Sequence, residues 1–172
     1  VESGEKTLST TLVQTETLAP VTVQAVANGV TIDPTLSFGT EGRIIDLNLN
    51  ASMADAALSP VPGDTGTETT TLQITGLGEH AAFYVGNTLI AANHVHYDAG
   101  NDIYTITHLS QDDLDDLGFV QAASALTDKD AADGMQVMVT AWTVERDVDD
   151  NVLAQSAPSA PEPLTLAVTP VQ

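Results

Sequence analysis

Short segments in which apolar and polar residues alternate recur along the whole chain. Gly, Pro, Asn and Asp separate them about every ten residues, the spacing typical of sandwiches and barrels of short strands. The clearest alternation is RIIDLNLNASM, where polar residues separate Ile45, Leu47 and Leu49. Because successive side chains of a strand point to opposite faces, the three apolar side chains are predicted to be buried together. The chain is therefore predicted to be all-β.

Three further segments show the same pattern and are predicted to be strands. In TTTLQITGL the inward residues are Leu72 and Ile74, and in DIYTITHL either Ile103 or Tyr104 sets the register. The closing segment LTLAVTPV is the third of these strands. MQVMVTAWTVE carries two opposed faces, formed by Val137, Val139 and Ala141 on one side and by Met138, Thr140 and Trp142 on the other.

The segment LSQDDLDDLGF interrupts the strand pattern. Ser110 stands before a leucine-bearing turn as an N-cap, and Asp113 follows three residues later at the capping-box position. Leu109, Leu114 and Leu117 are spaced to cover the end of a sandwich. One short helical turn from Ser110 to Leu117 is predicted.

Acidic side chains dominate the charge of the chain. Asp and Glu number 24 against 4 Lys and Arg, which gives a formal net charge of -20 in 172 residues. Four cationic residues cannot build a phosphate-binding surface, so nucleic acids and anionic membranes are not expected as partners. The like charges repel one another in the compact state. Bound cations are one way to offset such repulsion, and calcium does so most effectively with carboxylate ligands.

Several chemistries lack their sequence motifs. The chain has no cysteine, which excludes disulfides and thiolate sites. No apolar run approaches the roughly 20 residues that cross a bilayer, so no membrane insertion is expected. Nucleophile elbows, phosphate-binding glycine loops and histidine metal helices are missing, and Trp142 alternates with core positions, which favours packing over a sugar platform. We predict that the chain is not an enzyme.

From residue 42 onward, the ordered set of segments resembles the immunoglobulin-like or cadherin-like repeats of giant bacterial RTX adhesins of the biofilm or ice-binding type. The matching segments are IIDLNLNASMADA, GTETTTLQITGL, IYTITHLSQDDLDDLGF, MQVMVTAWTVE and LTLAVTPVQ. Two turns depart from the pattern of those repeats. The acidic turn is stretched between Asp55 and Asp64, and Gly78 and His80 stand where the repeats carry Pro and Gly.

The resemblance implies one immunoglobulin-like β-sandwich over residues 21–172, with residues 1–20 as a linker or as added strands. It also implies an extracellular location on the bacterial cell surface, reached by type I secretion, and calcium that stiffens a chain of domains. The module would be a structural extender whose partners are neighbouring domains of the same adhesin. The alternative is a ligand-binding adhesion domain for carbohydrate or peptide, against which the 4 % aromatic content argues.

Three acidic turns hold the candidate calcium ligands. They are Asp55, Asp64 and Glu68 in the acidic turn of the resemblance, Asp98, Asn101 and Asp102 in YDAGNDIYTIT, and Asp147 and Asp149 in RDVDDNV. Oxygen ligands at loop tips suit a hard cation. RDVDDNV lacks the Gly and the Glu of an EF-hand loop, and a solvated turn without an ion is the alternative for all three.

The segment NHVHYDAGND raises the question of zinc. His94 and His96 would project from one face of a strand and could bind zinc if other ligands completed a tetrahedron. The other histidines, His80 and His108, have no ligand spacing to this pair. The Asp, Gly and Asn that follow are typical of a turn between two strands. We therefore predict such a turn and no tightly held zinc.

Overall fold

The computed structural model describes residues 25–54, 67–121 and 134–171, which consist mostly of β-structure. In chain order the strands are β1 (Val30–Thr31), β2 (Ser37–Thr40), β3 (Ile45–Asp46), β4 (Ser52–Met53), β5 (Thr67–Thr75), β6 (Ala82–Val85), β7 (Thr88–Leu89), β8 (Val95–Asp98), β9 (Ile103–Leu109), β10 (Leu117–Val120), β11 (Met135–Arg146), β12 (Val152–Gln155) and β13 (Glu162–Thr169). A short helix α1 (Gln111–Asp115) and a 3-10 turn (Ala92–His94) join them. The prediction of an all-β chain is confirmed.

The strands form a larger and a smaller sheet. The larger has the order β2-β13-β11-β5-β9-β8, with β12 added beside the end of β11, and the smaller has the order β3-β10-β6-β7. β1 pairs separately with β4. Neighbouring strands are antiparallel except β2 and β13, which run parallel. Both sheets contribute to one hydrophobic cluster, so the core lies between them.

The inward faces of the larger sheet follow the predicted alternation. Its buried residues include Leu72, Ile74, Tyr104, Ile106, Val137, Val139, Ala141, Leu164, Leu166 and Val168. On β9 the register is set by Tyr104, whose ring also meets Phe83 of the smaller sheet edge-on at 5.1 Å. On the opposite face of β11, Met138 is 39 % exposed and Trp142 is half-buried.

The segment RIIDLNLNASM buries Ile45, Leu47 and Leu49, as its alternation predicts, but it is not one strand. Only its two ends, β3 and β4, are paired in ladders. Between them Leu47 N donates to Leu117 O at 2.8 Å, and Leu49 N donates to Leu47 O at 2.8 Å. Asn50 then takes a left-handed conformation with φ 45°. Alternation therefore predicted the buried face correctly, whereas the backbone pairing depended on neighbouring segments.

Helix α1 begins with the predicted capping box. Ser110 Oγ accepts from Asp113 N at 3.1 Å, and Asp113 Oδ2 accepts from Ser110 N at 2.9 Å. Leu109, Leu114 and Leu117 are all buried. The helix ends at Asp115, since Leu117 already belongs to β10, so it is shorter than the predicted span.

The predicted linker or added strands at residues 1–20 lie outside the described residues, as do Asp55 and Asp64. Among the residues that the structure describes, no helix has the length and apolar character needed to span a membrane.

Candidate functional site

Glu68 is the one member of the predicted acidic turn within the described residues, and it lies at the beginning of β5. Its Oε1 accepts a hydrogen bond from Asn28 N at 3.0 Å. Across the ladder to β11 it stands directly opposite Glu145, which is only 6 % exposed. Like charges on directly opposed residues destabilise a sheet.

Asp98 belongs to the turn that joins β8 to β9, so the predicted turn between two strands is confirmed. Its Oδ1 accepts from Gly100 N at 2.9 Å, and its Oδ2 accepts from Asn101 Nδ2 at 2.7 Å. The hydrogen bond from the Asn101 side chain is the main cause that lowers the pKa of Asp98, with the N–H of Gly100 next and desolvation opposing. The Asn101 side chain thus faces Asp98 with its Nδ2 donor.

Asp102 connects the same turn to the loop after β5. Its Oδ1 accepts from Gly78 N at 2.9 Å and from Tyr97 Oη at 3.1 Å, while its carbonyl accepts from Gly76 N at 3.0 Å. The Tyr97 ring stacks on Tyr104 at 4.4 Å. Desolvation, followed by the hydrogen bond to Asp102, raises the pKa of Tyr97 to about 12. Asp102 therefore connects the β8–β9 turn to the loop after β5.

Asp147 closes the tip of the β11–β12 hairpin. Its Oδ1 accepts from the backbone N–H groups of Asp149 at 2.9 Å and Asn151 at 2.8 Å, and its Oδ2 accepts from Asn151 Nδ2 at 2.9 Å. Asp149 contacts Asp147 through the backbone N–H of Asp149. The hairpin tip predicted as the alternative to a calcium loop is present.

These bonds limit what the two turns can do with a metal ion. Each oxygen of Asp98 and of Asp147 already accepts from an N–H group of its own turn. A calcium ion bound by either carboxylate would share these oxygens with the N–H donors, since a carboxylate oxygen has more than one lone pair. Within the described ranges, no group of three or more His, Asp or Glu side chains is arranged to hold a metal ion.

Removing the Asp147 carboxylate is expected to loosen the hairpin tip. The side chain and backbone of Asn151 are the leading causes of the lowered pKa of Asp147, and Asp149 N–H adds to them against desolvation. Because the folded pKa lies below the unfolded value, near 3.9 for aspartate, the stabilisation is complete above that value and is lost as pH falls through the folded pKa.

In Asp147→Ala, the protection of the Asn151 amide against hydrogen exchange, corrected for intrinsic rates, should therefore be severalfold lower at pH 7, and acidification of the unaltered protein below about pH 4 should lower the corrected protection in the same way. The matched control is Asp149→Ala, which removes an equal charge from the same tip and keeps the N–H that Asp147 binds. An equal loss of protection in both variants would contradict the assigned role of Asp147.

The structure separates the two histidines that were expected to share a strand face. His94 ends the 3-10 turn, whereas His96 lies within β8 and is exposed. That expectation is wrong, because the 3-10 turn places His94 ahead of the strand. The ring of His94 instead stacks on His108 of β9, with centroids 4.3 Å apart and planes 16° apart. Sequence spacing missed this pair, since only the β8–β9 hairpin brings residues 14 apart into contact.

Comparison of the chain with protein-family models, with curated proteins and with solved structures found no match. Its function is therefore argued from the arrangement of its own residues.

Proposed function

We propose that this chain is an immunoglobulin-like β-sandwich that serves as a structural extender in a calcium-dependent RTX adhesin on the bacterial cell surface. The strand order supports the fold. If β3, β5, β6, β10, β11 and β13 correspond to strands B to G, the smaller sheet contains the order B-E-D and the larger the order G-F-C. Immunoglobulin-like sandwiches divide their strands between two sheets in this way. β7, β8 and β9 would then be an insertion between D and E.

The observation that carries the extender role is the parallel pairing of β2 with β13. Because the two strands run in the same direction, the chain enters the larger sheet at one end and leaves it at the other. The approach to β1 agrees with this direction, since Gly29 N donates to Thr143 Oγ1 near the end of β11, at 2.9 Å. In a tandem array, a domain that the chain enters at one end and leaves at the other adds its full length to the array.

The entry end is also where the proposed calcium would act. Glu68, which faces Glu145, lies at the start of β5, beside the end of β11. The predicted ligands Asp55 and Asp64 precede it in the sequence. Calcium shared by these carboxylates would stiffen the junction with a preceding domain and reduce the repulsion in a chain of charge -20.

One surface favours the second candidate function, binding of a carbohydrate or peptide. Thr140, Gln73, Thr105 and His96 lie side by side on four neighbouring strands and form an outward row. Gln73 Nε2 donates to Thr105 Oγ1 at 3.3 Å. In a strongly acidic chain, this row without a carboxylate would suit an uncharged ligand that hydrogen-bonds to Thr and Gln side chains.

Small-angle scattering of a longer piece of the parent protein, with this chain between its neighbouring domains, tests the extender role. With millimolar calcium, the maximum dimension should equal that of domains placed end to end, and chelation should shorten the average dimension.

A glycan and peptide array provides the opposing test. An extender should bind neither class, whereas binding that Gln73→Ala abolishes and Gln136→Ala preserves would favour the ligand-binding function.

A further inference from the structure

A cluster of ionisable side chains links three segments that are distant in sequence. His94 of the 3-10 turn stacks on His108 of β9 at 4.3 Å. His108 Nε2 donates to Asp150 Oδ1 at 2.9 Å, which connects β9 to the tip of the β11–β12 hairpin. His108 Nδ1 lies 2.8 Å from Thr107 Oγ1. Both ring nitrogens of His108 therefore have oxygen partners, and the Thr107 hydroxyl can donate to a neutral ring or accept from an imidazolium.

Arg146 contacts the same hairpin tip. Its Nη1 donates to Asp150 O at 3.3 Å, and its Nε lies 3.7 Å from Asp150 Oδ1. The Nε atom is buried and has no hydrogen-bond partner in the described structure. Asp150 is therefore the carboxylate between a permanent cation and a titratable one.

The backbone at both ends of the His108–Asp150 contact is in an uncommon conformation. His108 has φ 64° and Asp150 has φ 68°, both in the left-handed region that side chains other than glycine rarely occupy. His108 also lies where the β5–β9 register shifts, between the Leu72–Ile106 and Thr70–Leu109 pairs. Such conformations persist when surrounding contacts hold them. The contact is thus a restraint on two strained positions.

We propose that His94, His108 and Asp150 form a pH-sensitive latch that holds the hairpin tip against β9 when one imidazole is protonated. In the described residues, the charged groups that act on Asp150 are His108, Arg146 and His94. Protonation of His108 converts its bond to Asp150 into a charge-assisted one, roughly twice as strong as a neutral bond.

The latch therefore tightens when His108 takes up a proton, and histidine is the side chain suited to a change of charge near physiological pH. Asp150 stays ionised during this change, because the hydrogen bond from His108, against some desolvation, and then the charges of His108, Arg146 and His94 hold its pKa below the ordinary value. The packing of the hairpin tip therefore depends on pH through His108, although Asp150, the acid within the tip, stays ionised.

Amide hydrogen exchange at Asp150 and Asn151, corrected for intrinsic rates, tests the latch at pH 8 and pH 6. In the unaltered protein, protection should rise about threefold on acidification, the size expected for a partly exposed ion pair. Asp150→Asn and His108→Asn should abolish the rise. Asparagine tolerates the left-handed conformation of both positions, so these variants should still fold. An unchanged melting temperature would verify this.

His96→Gln is the matched control, because His96 is exposed in β8 and outside the cluster. It should keep the full rise in protection. In His94→Gln the rise should persist, since the bond to Asp150 is made by His108. The proposal is overturned if protection is independent of pH in the unaltered protein, or if Asp150→Asn retains the same pH dependence.

Discussion

Phe119→Ala is expected to destabilise the protein by about 3–5 kcal/mol, the range for removing a fully buried phenylalanine. Phe119 has no solvent exposure and lies at the centre of the smaller sheet, opposite Ile45 on β3 and Phe83 on β6. The loss combines the transfer free energy of the ring with the cavity that it leaves. Because domains of this kind are stable by about 5–15 kcal/mol, the variant should be at best marginally folded at physiological temperature.

Phe38→Ala is the matched control for this prediction. Phe38 is on the edge strand β2 and is 74 % exposed, so its replacement should change stability by no more than about 0.5 kcal/mol. Urea unfolding followed by tryptophan fluorescence measures both variants, since Trp142 is the single tryptophan. Similar losses in the two variants would contradict the prediction that the buried Phe119 contributes far more to stability than the exposed Phe38.

Millimolar calcium is expected to raise the melting temperature well beyond the effect of sodium chloride at equal ionic strength. A ligand that binds only the folded state adds about 2.7 kcal/mol at one hundred times its Kd. Screening by salt also relieves the repulsion of a chain of charge -20, which is why matched sodium chloride is the necessary comparison. A chelator should reverse the calcium-specific part.

Two double variants locate the ion. Asp64→Asn with Glu68→Gln should remove most of the calcium-specific gain, if the acidic turn supplies ligands. Asp46→Asn with Asp112→Asn removes the same charge at two exposed positions and should keep the gain while relieving repulsion equally. If calcium and matched sodium chloride stabilise the unaltered protein alike, the isolated chain holds no specific ion. The extender proposal would then need a neighbouring domain to complete the site.

Local chemistry explains what could be predicted from the sequence. The inward residues Leu72, Ile74 and Val139 follow from alternation, because the period of a strand leaves only two faces to choose from. The capping box of Ser110 and Asp113 follows equally, since both partners lie within one turn. The turns at 98–102 and 147–151 were predicted from the same kind of local rule, in which Asp and Asn side chains bond to the nearby backbone.

The tertiary structure decided which distant residues meet, and the reason is strand pairing. Glu68 faces Glu145 only because β5 lies beside β11 in one particular register. His108 reaches both His94 and Asp150 only because the β8–β9 hairpin and the β11–β12 tip converge there. Alternation tells each strand which side to bury but not which strand will be its neighbour, because many pairings bury the same apolar area. The register that selects these contacts is a property of the assembled sheets.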